Sequence, residues 1–198
     1  GKTGHHQRYQ TRPSTSSHNN SWDRNAGTIR LYGYKYRNHY GDGVATLTSH
    51  FDANNVCIVQ VPVAIMIAGG ECSIGIGKTR GRSLIKFRLP PGIWNRCQAE
   101  LIYGELSAKF RVILLAKGTG PSMRIAGNDV IVTRNISTER LRRGTTVAIP
   151  CPDGKNRTLR LSPGTKSGAI FGMRGGFGLP TINGGRGNLQ VVIMGKDK

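Results

Sequence analysis

"LSPGTKSGAIFGMRGGFGLP", Leu161 to Pro180, places glycines at short intervals, yet apolar residues recur between them: Leu161, Ile170, Phe171, Met173, Phe177 and Leu179. Such a stretch is a phosphate-cradling loop, a flexible linker or a set of turns between short strands. A phosphate loop requires a G-x-x-x-x-G-K-[ST] run, or a dinucleotide fingerprint between a strand and a helix, and neither occurs here. Glycine adopts the positive φ angles that chain reversals demand. The stretch therefore predicts turns, with Phe171, Phe177 and Leu179 packing across them.

The flanking sequence agrees. From Val56 onward, short apolar runs alternate with Gly, Pro, Asn and Asp clusters, the pattern of short strands and turns. Two short helices are expected, over Val63 to Ala68 and over Ser137 to Arg143, the second closed by Gly144. The chain also repeats itself. "IAGGECSIGIG", "LIKFRLPPGI", "AELIYGEL" and "AKFRVILL" return, in the same order, as "LRRGTTVAIP", "RTLRLSPGTKSG", "AIFGMRGGFGLP" and "GNLQVVIM". Gly69 corresponds to Gly144, Pro91-Gly92 to Pro163-Gly164, and Phe110 to Leu189. The expected class is all-β with minor short helices, as two tandem β-sandwich subdomains preceded by a basic N-terminal arm. The expected divisions are residues 1–55 for the arm and an aromatic-rich extension, 56–117 for the first subdomain and 121–195 for the second.

Charge is the strongest global signal. In 198 residues there are 29 Lys and Arg against 10 Asp and Glu, a net charge of +19. A field of this size attracts polyanions: nucleic acid, an acidic protein surface or the interior of a particle. Arg8, Arg12, Arg24, Arg30, Lys35 and Arg37 are the candidate contacts to nucleic acid or another acidic partner. Tyr32, Tyr34 and Tyr36 alternate with the period of a strand. Two readings stay open for them: an ordinary edge strand with one aromatic face, or a surface that stacks on bases while the interleaved cations hold the backbone.

The four cysteines, Cys57, Cys72, Cys97 and Cys151, form no C-x-x-C pair, so no structural zinc and no other cofactor is expected. They read as reduced thiols of a core. No apolar run approaches the about 18 residues of a membrane span, and the N-terminus lacks the apolar core of a signal peptide. The expected location is cytoplasmic, with the inside of a virion or other large assembly as the alternative.

The second half resembles the C-terminal β-subdomain of DnaJ/Hsp40 co-chaperones. The family's order of motifs appears as Pro150-Cys151-Pro152-Asp153-Gly154, Pro163-Gly164-Thr165-Lys166-Ser167-Gly168, Arg174-Gly175-Gly176-Phe177-Gly178-Leu179-Pro180 and Gly187-Asn188-Leu189-Gln190-Val191. Asn188 stands where the family usually has Asp. Val56 to Leu115 is similar, more loosely, to the preceding Hsp40 subdomain, and residues 1–55 lie outside the resemblance. No zinc insert interrupts the first half, which matches the zinc-less class, and the chain contains no His-Pro-Asp tripeptide. The family's dimerising segment follows the last strand, so a family-type C-terminal dimer is not expected of a chain ending at Lys198.

The resemblance implies a peptide-binding groove beside an exposed strand in the first subdomain. By position that strand is Cys72 to Ile76, which makes Ile74 and Ile76 the groove candidates. The family's lysines for the acidic tail of Hsp70 fall at Cys72 and Gly75, with Lys78 nearby. Core filling by Ile74 and Ile76 is the competing reading. Catalysis finds little support: the five histidines lie outside the repeats, and Asp153 is explained as a turn residue. Two functions follow. One is a polypeptide-binding module that holds unfolded or extended segments, with Hsp70 as a further partner. The other is a structural protein of a virion or ribonucleoprotein that binds nucleic acid or neighbouring subunits through its basic arm.

Overall fold

The computed structural model describes residues 27–36, 44–76 and 83–197. The arm up to residue 26 lies outside the described residues, and with it Arg8, Arg12 and Arg24; so do Arg37 and Lys78. The described chain is all-β with two short helices. In order it runs β1 (Thr28–Tyr36), β2 (Ala45–Leu47), β3 (Ser49–Phe51), β4 (Cys57–Pro62), α1 (Val63–Ala68), β5 (Gly70–Ile76), β6 (Ser83–Leu89), β7 (Cys97–Tyr103) and β8 (Ala108–Lys117). It continues with β9 (Met123–Ala126), β10 (Asp129–Ser137), α2 (Thr138–Arg143), β11 (Thr145–Pro150), β12 (Asn156–Leu161), β13 (Ala169–Met173) and β14 (Leu189–Lys196).

The repeat is visible in the pairing. In the first half β3 pairs antiparallel with β4, β5 with β6 and β7 with β8, while β4 and β8 run parallel. In the second half the same relations hold for β9 and β10, β11 and β12, β13 and β14, and for the parallel pair β10 and β14. The register matches too. Lys117 lies opposite Pro62, the residue before α1, and Lys196 lies opposite Ser137, the residue before α2. Phe110 and Leu189 stand at equal distances before those two lysines.

Each helix is closed in the same way. Gly69 and Gly144 follow the helices at φ 69° and 80°. The N–H of Gly92 donates to the Met66 carbonyl at 2.9 Å, and that of Gly164 donates to the Leu141 carbonyl, also at 2.9 Å. Met66 and Leu141 are the fourth residues of their helices and are buried. The Pro-Gly corners thus satisfy orphan helix carbonyls, which explains their recurrence in the sequence. In α2 the Ser137 Oγ also accepts from the Arg140 N–H at 3.3 Å, an N-cap.

The first half departs from the expected division. Its strands form one hydrogen-bonded sheet in the order β2-β5-β6-β1-β7-β8-β4-β3. Residues 28–51, expected in a separate extension, contribute β1, β2 and β3 to it. Nor is β1 an edge strand. Its first part pairs parallel with β7, from Thr28 opposite Gln98 to Gly33 opposite Tyr103, and its last part pairs antiparallel with β6, from Gly33 to Tyr36. It passes between two limbs of the sheet, and Gly33 is the shared residue. A Cβ on Gly33 would sit 2.7 Å from Ile85 Cγ2 and 3.0 Å from the Lys86 carbonyl oxygen. Strands that turn such corners need a bend or a residue without a side chain.

Two apolar cores result. The first collects Ile29, Leu31, Val59, Val61, Ile74, Phe87, Leu101 and Leu114 from both limbs of the long sheet. The second lies between the four-stranded sheet β13-β14-β10-β9 and the β11-β12 pair, and includes Val132, Ile149, Leu161, Leu179 and Val191. The two meet at α1. Met66 is buried in the first core, Val63 is buried in the second, and Ala116 packs against both.

Candidate polypeptide-binding edge

The strand that follows α1 is the strand to which the resemblance assigns a groove. Along β5, Cys72 and Ile74 point into the first core and are fully buried, and Ile76 packs against that core half-buried. One edge of β5 is taken by β6. The other is not open. The chain's own β2 lies along it in parallel, with Ala45 opposite Cys72, Thr46 opposite Ser73 and Leu47 opposite Ile74. Ile74 and Cys72 are core residues and are not exposed to a groove. The reason is local. Val44-Ala45-Thr46-Leu47-Thr48 has strand propensity, and Leu47 completes the core at 5% exposure.

The polar atoms at this edge belong to the same contact. Ser73 is fully buried, its Oγ lies 3.2 Å from Thr46 Oγ1, and it donates to the Ala45 carbonyl at 3.4 Å. In the second half the equivalent strand, β11, pairs with β12 alone among the described residues. Ala148, which takes the place of Ser73, is exposed there. Among the described residues, β2 is thus an addition to one repeat that the other lacks.

The outer face of β1 carries the aromatic and basic residues. Tyr32 and Tyr34 are 40% and 53% exposed, and Tyr36 shares their side of the strand. The Lys86 ammonium sits 4.7 Å from the centre of the Tyr36 ring. Arg30 lies on this face. Lys35 points to the opposite side and reaches the Tyr103 ring at 5.5 Å. Of the proposed acidic-partner contacts, the structure describes Arg30 and Lys35 and separates them by face. Lys86 and the neighbouring Arg88 were missed because they lie fifty or more residues along the chain from the tyrosines.

The glycine-rich stretch forms turns. After β13, Gly178 and Gly187 exchange backbone contact with Asn128, where a Cβ on Gly178 would lie 2.7 Å from the Asn128 carbonyl oxygen. Leu179 donates its N–H to that carbonyl at 2.8 Å and buries its side chain completely. Arg186 clamps the loop by donating from Nε and Nη2 to the Gly178 carbonyl, at 3.0 and 2.9 Å. Asp153 is the turn residue that the Pro-Asp-Gly motif predicts, its Oδ1 accepting from the Lys155 N–H at 3.0 Å. It is also the partner of Arg157, whose guanidinium stacks 4.5 Å from the Phe177 ring centre.

The four cysteines are free and buried. Burial pushes the Cys72 thiol up to about 11, with the charge of Glu71 adding to the effect. Burial likewise lifts Cys57 to about 11, against an opposing hydrogen bond from Ser49, and Cys97 to about 12. Among the described residues no helix is long and apolar enough to cross a membrane.

Two β-units with this repeated strand order, each closed by a helix, a glycine and a Pro-Gly corner, are consistent with the resemblance of the sequence to the DnaJ C-terminal region. Comparison with curated proteins agrees. The chain is 30% identical over 127 residues to the chaperone protein DnaJ of Leptospira biflexa, covering 60% of this chain and 33% of that protein. It is 34% identical over 124 residues to chaperone protein DnaJ of Roseiflexus sp., covering 59% and 33%. Against chaperone protein DnaJ of Carboxydothermus hydrogenoformans it is 30% identical over 133 residues, covering 62% and 34%. The chain spans about a third of the length of these relatives. No family model matches it. The similarity and the mostly-β fold are consistent with a divergent DnaJ C-terminal-type region.

Proposed function

We propose that this chain is the polypeptide-holding part of a DnaJ-like chaperone, and that it binds unfolded or extended segments by strand addition with an apolar anchor. The observation that carries this reading is the edge of β5, which accepts a three-residue extended segment and seats its leucine against Ile74. Main-chain hydrogen bonds supply affinity in such additions, and alternate side-chain pockets supply selectivity. Two units divided near Lys117, a cytoplasmic location and cooperation with Hsp70 belong to the same proposal. The test uses a permanently unfolded polypeptide, reduced carboxymethylated α-lactalbumin, and its native form. Retention of the unfolded form alone is the expected result. Equal binding of both forms, or of neither, overturns the reading.

A second reading, a nucleic-acid-binding assembly protein, is favoured by the outer face of β1. Exposed Tyr32 and Tyr34 beside Lys86, in a chain of net charge +19, combine stacking surfaces with cations.

A further inference from the structure

The geometry points to β2 as a built-in ligand of the β5 edge: it sets the direction and register that an external segment must match, and it has to leave before one binds. This inference rests on the polypeptide-binding reading and names the ligand class and the regulation of that site.

The two repeats provide the internal comparison. Both contain the helix, the closing glycine and the strand after it, but among the described residues only the first has a strand added to that edge. The repeat therefore forms without the added strand, as β11 and β12 do. What differs at the covered edge is polar. Ser73 is buried against Thr46 and the Ala45 carbonyl, whereas Ala148 at the equivalent place is exposed. A buried hydroxyl requires a partner, so Ser73 is matched to an occupant, and β2 is that occupant.

The contact also defines the ligand. It is an extended segment running parallel to β5, with an aliphatic side chain opposite Ile74 and a hydroxyl residue one position earlier, opposite Ser73. Residues 45–47 satisfy this as Ala-Thr-Leu. The resident is short. Ala45 and Thr46 are exposed, and Leu47 is its one buried side chain. It is tethered immediately afterwards, where Thr48 accepts from the Gln60 N–H at 2.9 Å. A tethered competitor acts at an effective concentration on the order of millimolar. External affinity is then reduced in proportion to the fraction of molecules whose edge is free.

The probe is a fluorescent peptide with the sequence of Val44 to Ser49, VATLTS, and a control in which its leucine is aspartate. Two changes act on the gate in opposite directions. Thr46→Cys with Ser73→Cys places two thiols where the hydroxyls now lie 3.2 Å apart, so oxidation locks β2 in place. Leu47→Asp removes the anchor and releases it. The expected result is no peptide binding to the oxidised lock, recovery on reduction, and at least about tenfold tighter binding to folded Leu47→Asp than to the unaltered chain. The aspartate peptide should bind none of them. Equal peptide affinity for the locked, reduced and released proteins overturns the gate while leaving polypeptide binding in place. If no form binds the peptide but unfolded α-lactalbumin is still retained, the β5 edge is not the site and the inference fails alone. If neither ligand is retained, the functional reading fails with it.

Discussion

Arg157 holds Asp153 with both ends of its guanidinium, Nη1 3.2 Å from Oδ1 and Nη2 3.1 Å from Oδ2. Burial raises the Asp153 carboxyl pKa. The hydrogen bonds from Arg157 and the Lys155 N–H, with the charges of Arg157 and Arg186, outweigh it and hold the carboxyl below its ordinary value. A depressed carboxyl contributes stability above its unfolded pKa of about 3.9 and loses it as pH falls through the folded value. The unaltered protein should therefore exceed Asp153→Asn in urea midpoint at pH 7, and the gap should narrow as pH falls below the ordinary carboxylate range and the carboxyl becomes protonated in the folded protein too. A gap that persists at the lower pH would assign the loss to the turn and not to the charge.

Gly33→Ala should destabilise the protein by about 1–3 kcal/mol, because the added methyl meets Ile85 and the Lys86 carbonyl at the sheet corner. Gly172→Ala is the control, since a Cβ there meets nothing within 4 Å. Urea unfolding of both variants checks the contrast, and equal midpoints would remove Gly33 from the corner.

Ser137→Ala removes the hydroxyl that accepts from Arg140 at the start of α2. A lost N-cap costs about 1 kcal/mol. The first helix has no side-chain cap to lose, its preceding residue being Pro62. Unfolding of Ser137→Ala, with Ser137→Asp expected to restore the cap, measures the term.

The thiols should be silent. Cys57, Cys72 and Cys97 are buried with raised pKa values, and Cys151 is buried in the second core. A disulfide reagent at pH 8 should label none of the four within minutes in native protein and all four in denaturant. Rapid labelling of Cys72 in the native state would show that the β5 edge opens spontaneously.

The tyrosine face separates the two functional readings. If it binds single-stranded nucleic acid, affinity should fall with salt at a log-log slope of about −0.7 per phosphate contacted. Tyr34→Ala should then weaken binding by a factor on the order of 5–100, the worth of one stacked base. A salt-independent or absent interaction leaves the face to solvent.

Much of this architecture was legible because the repeat constrains it. Gly69 and Gly144, and Pro91-Gly92 and Pro163-Gly164, are local motifs whose geometry needs particular residue types, so the sequence carries them directly. Both short helices were expected, the second from its closing Gly144, and the structure begins that one a residue later, at Thr138, with Ser137 as its cap. The places of β1 and β2 were not legible in the same way. Ile29 and Leu31 alternate with Arg30 and Tyr32, a half-buried strand pattern, but nothing local says that the strand inserts between β6 and β7. The sequence offers Ile74 both as a groove candidate and as a core residue, and the structure buries it in the first core. Its cover comes from Leu47, whose pairing is set by tertiary packing and not by spacing.

The placement of β1 also sets a timetable. Thr28 pairs with Gln98, 70 positions further along, so the strand that joins the two limbs emerges from a ribosome long before one of its partners exists. At synthesis rates of about 5–20 residues per second, that wait is roughly 4 to 14 s. Throughout it Ile29 and Leu31, which the finished protein hides completely, lack the β7 residues they pair with. During its own synthesis the chain presents the kind of extended apolar segment that a chaperone exists to shield.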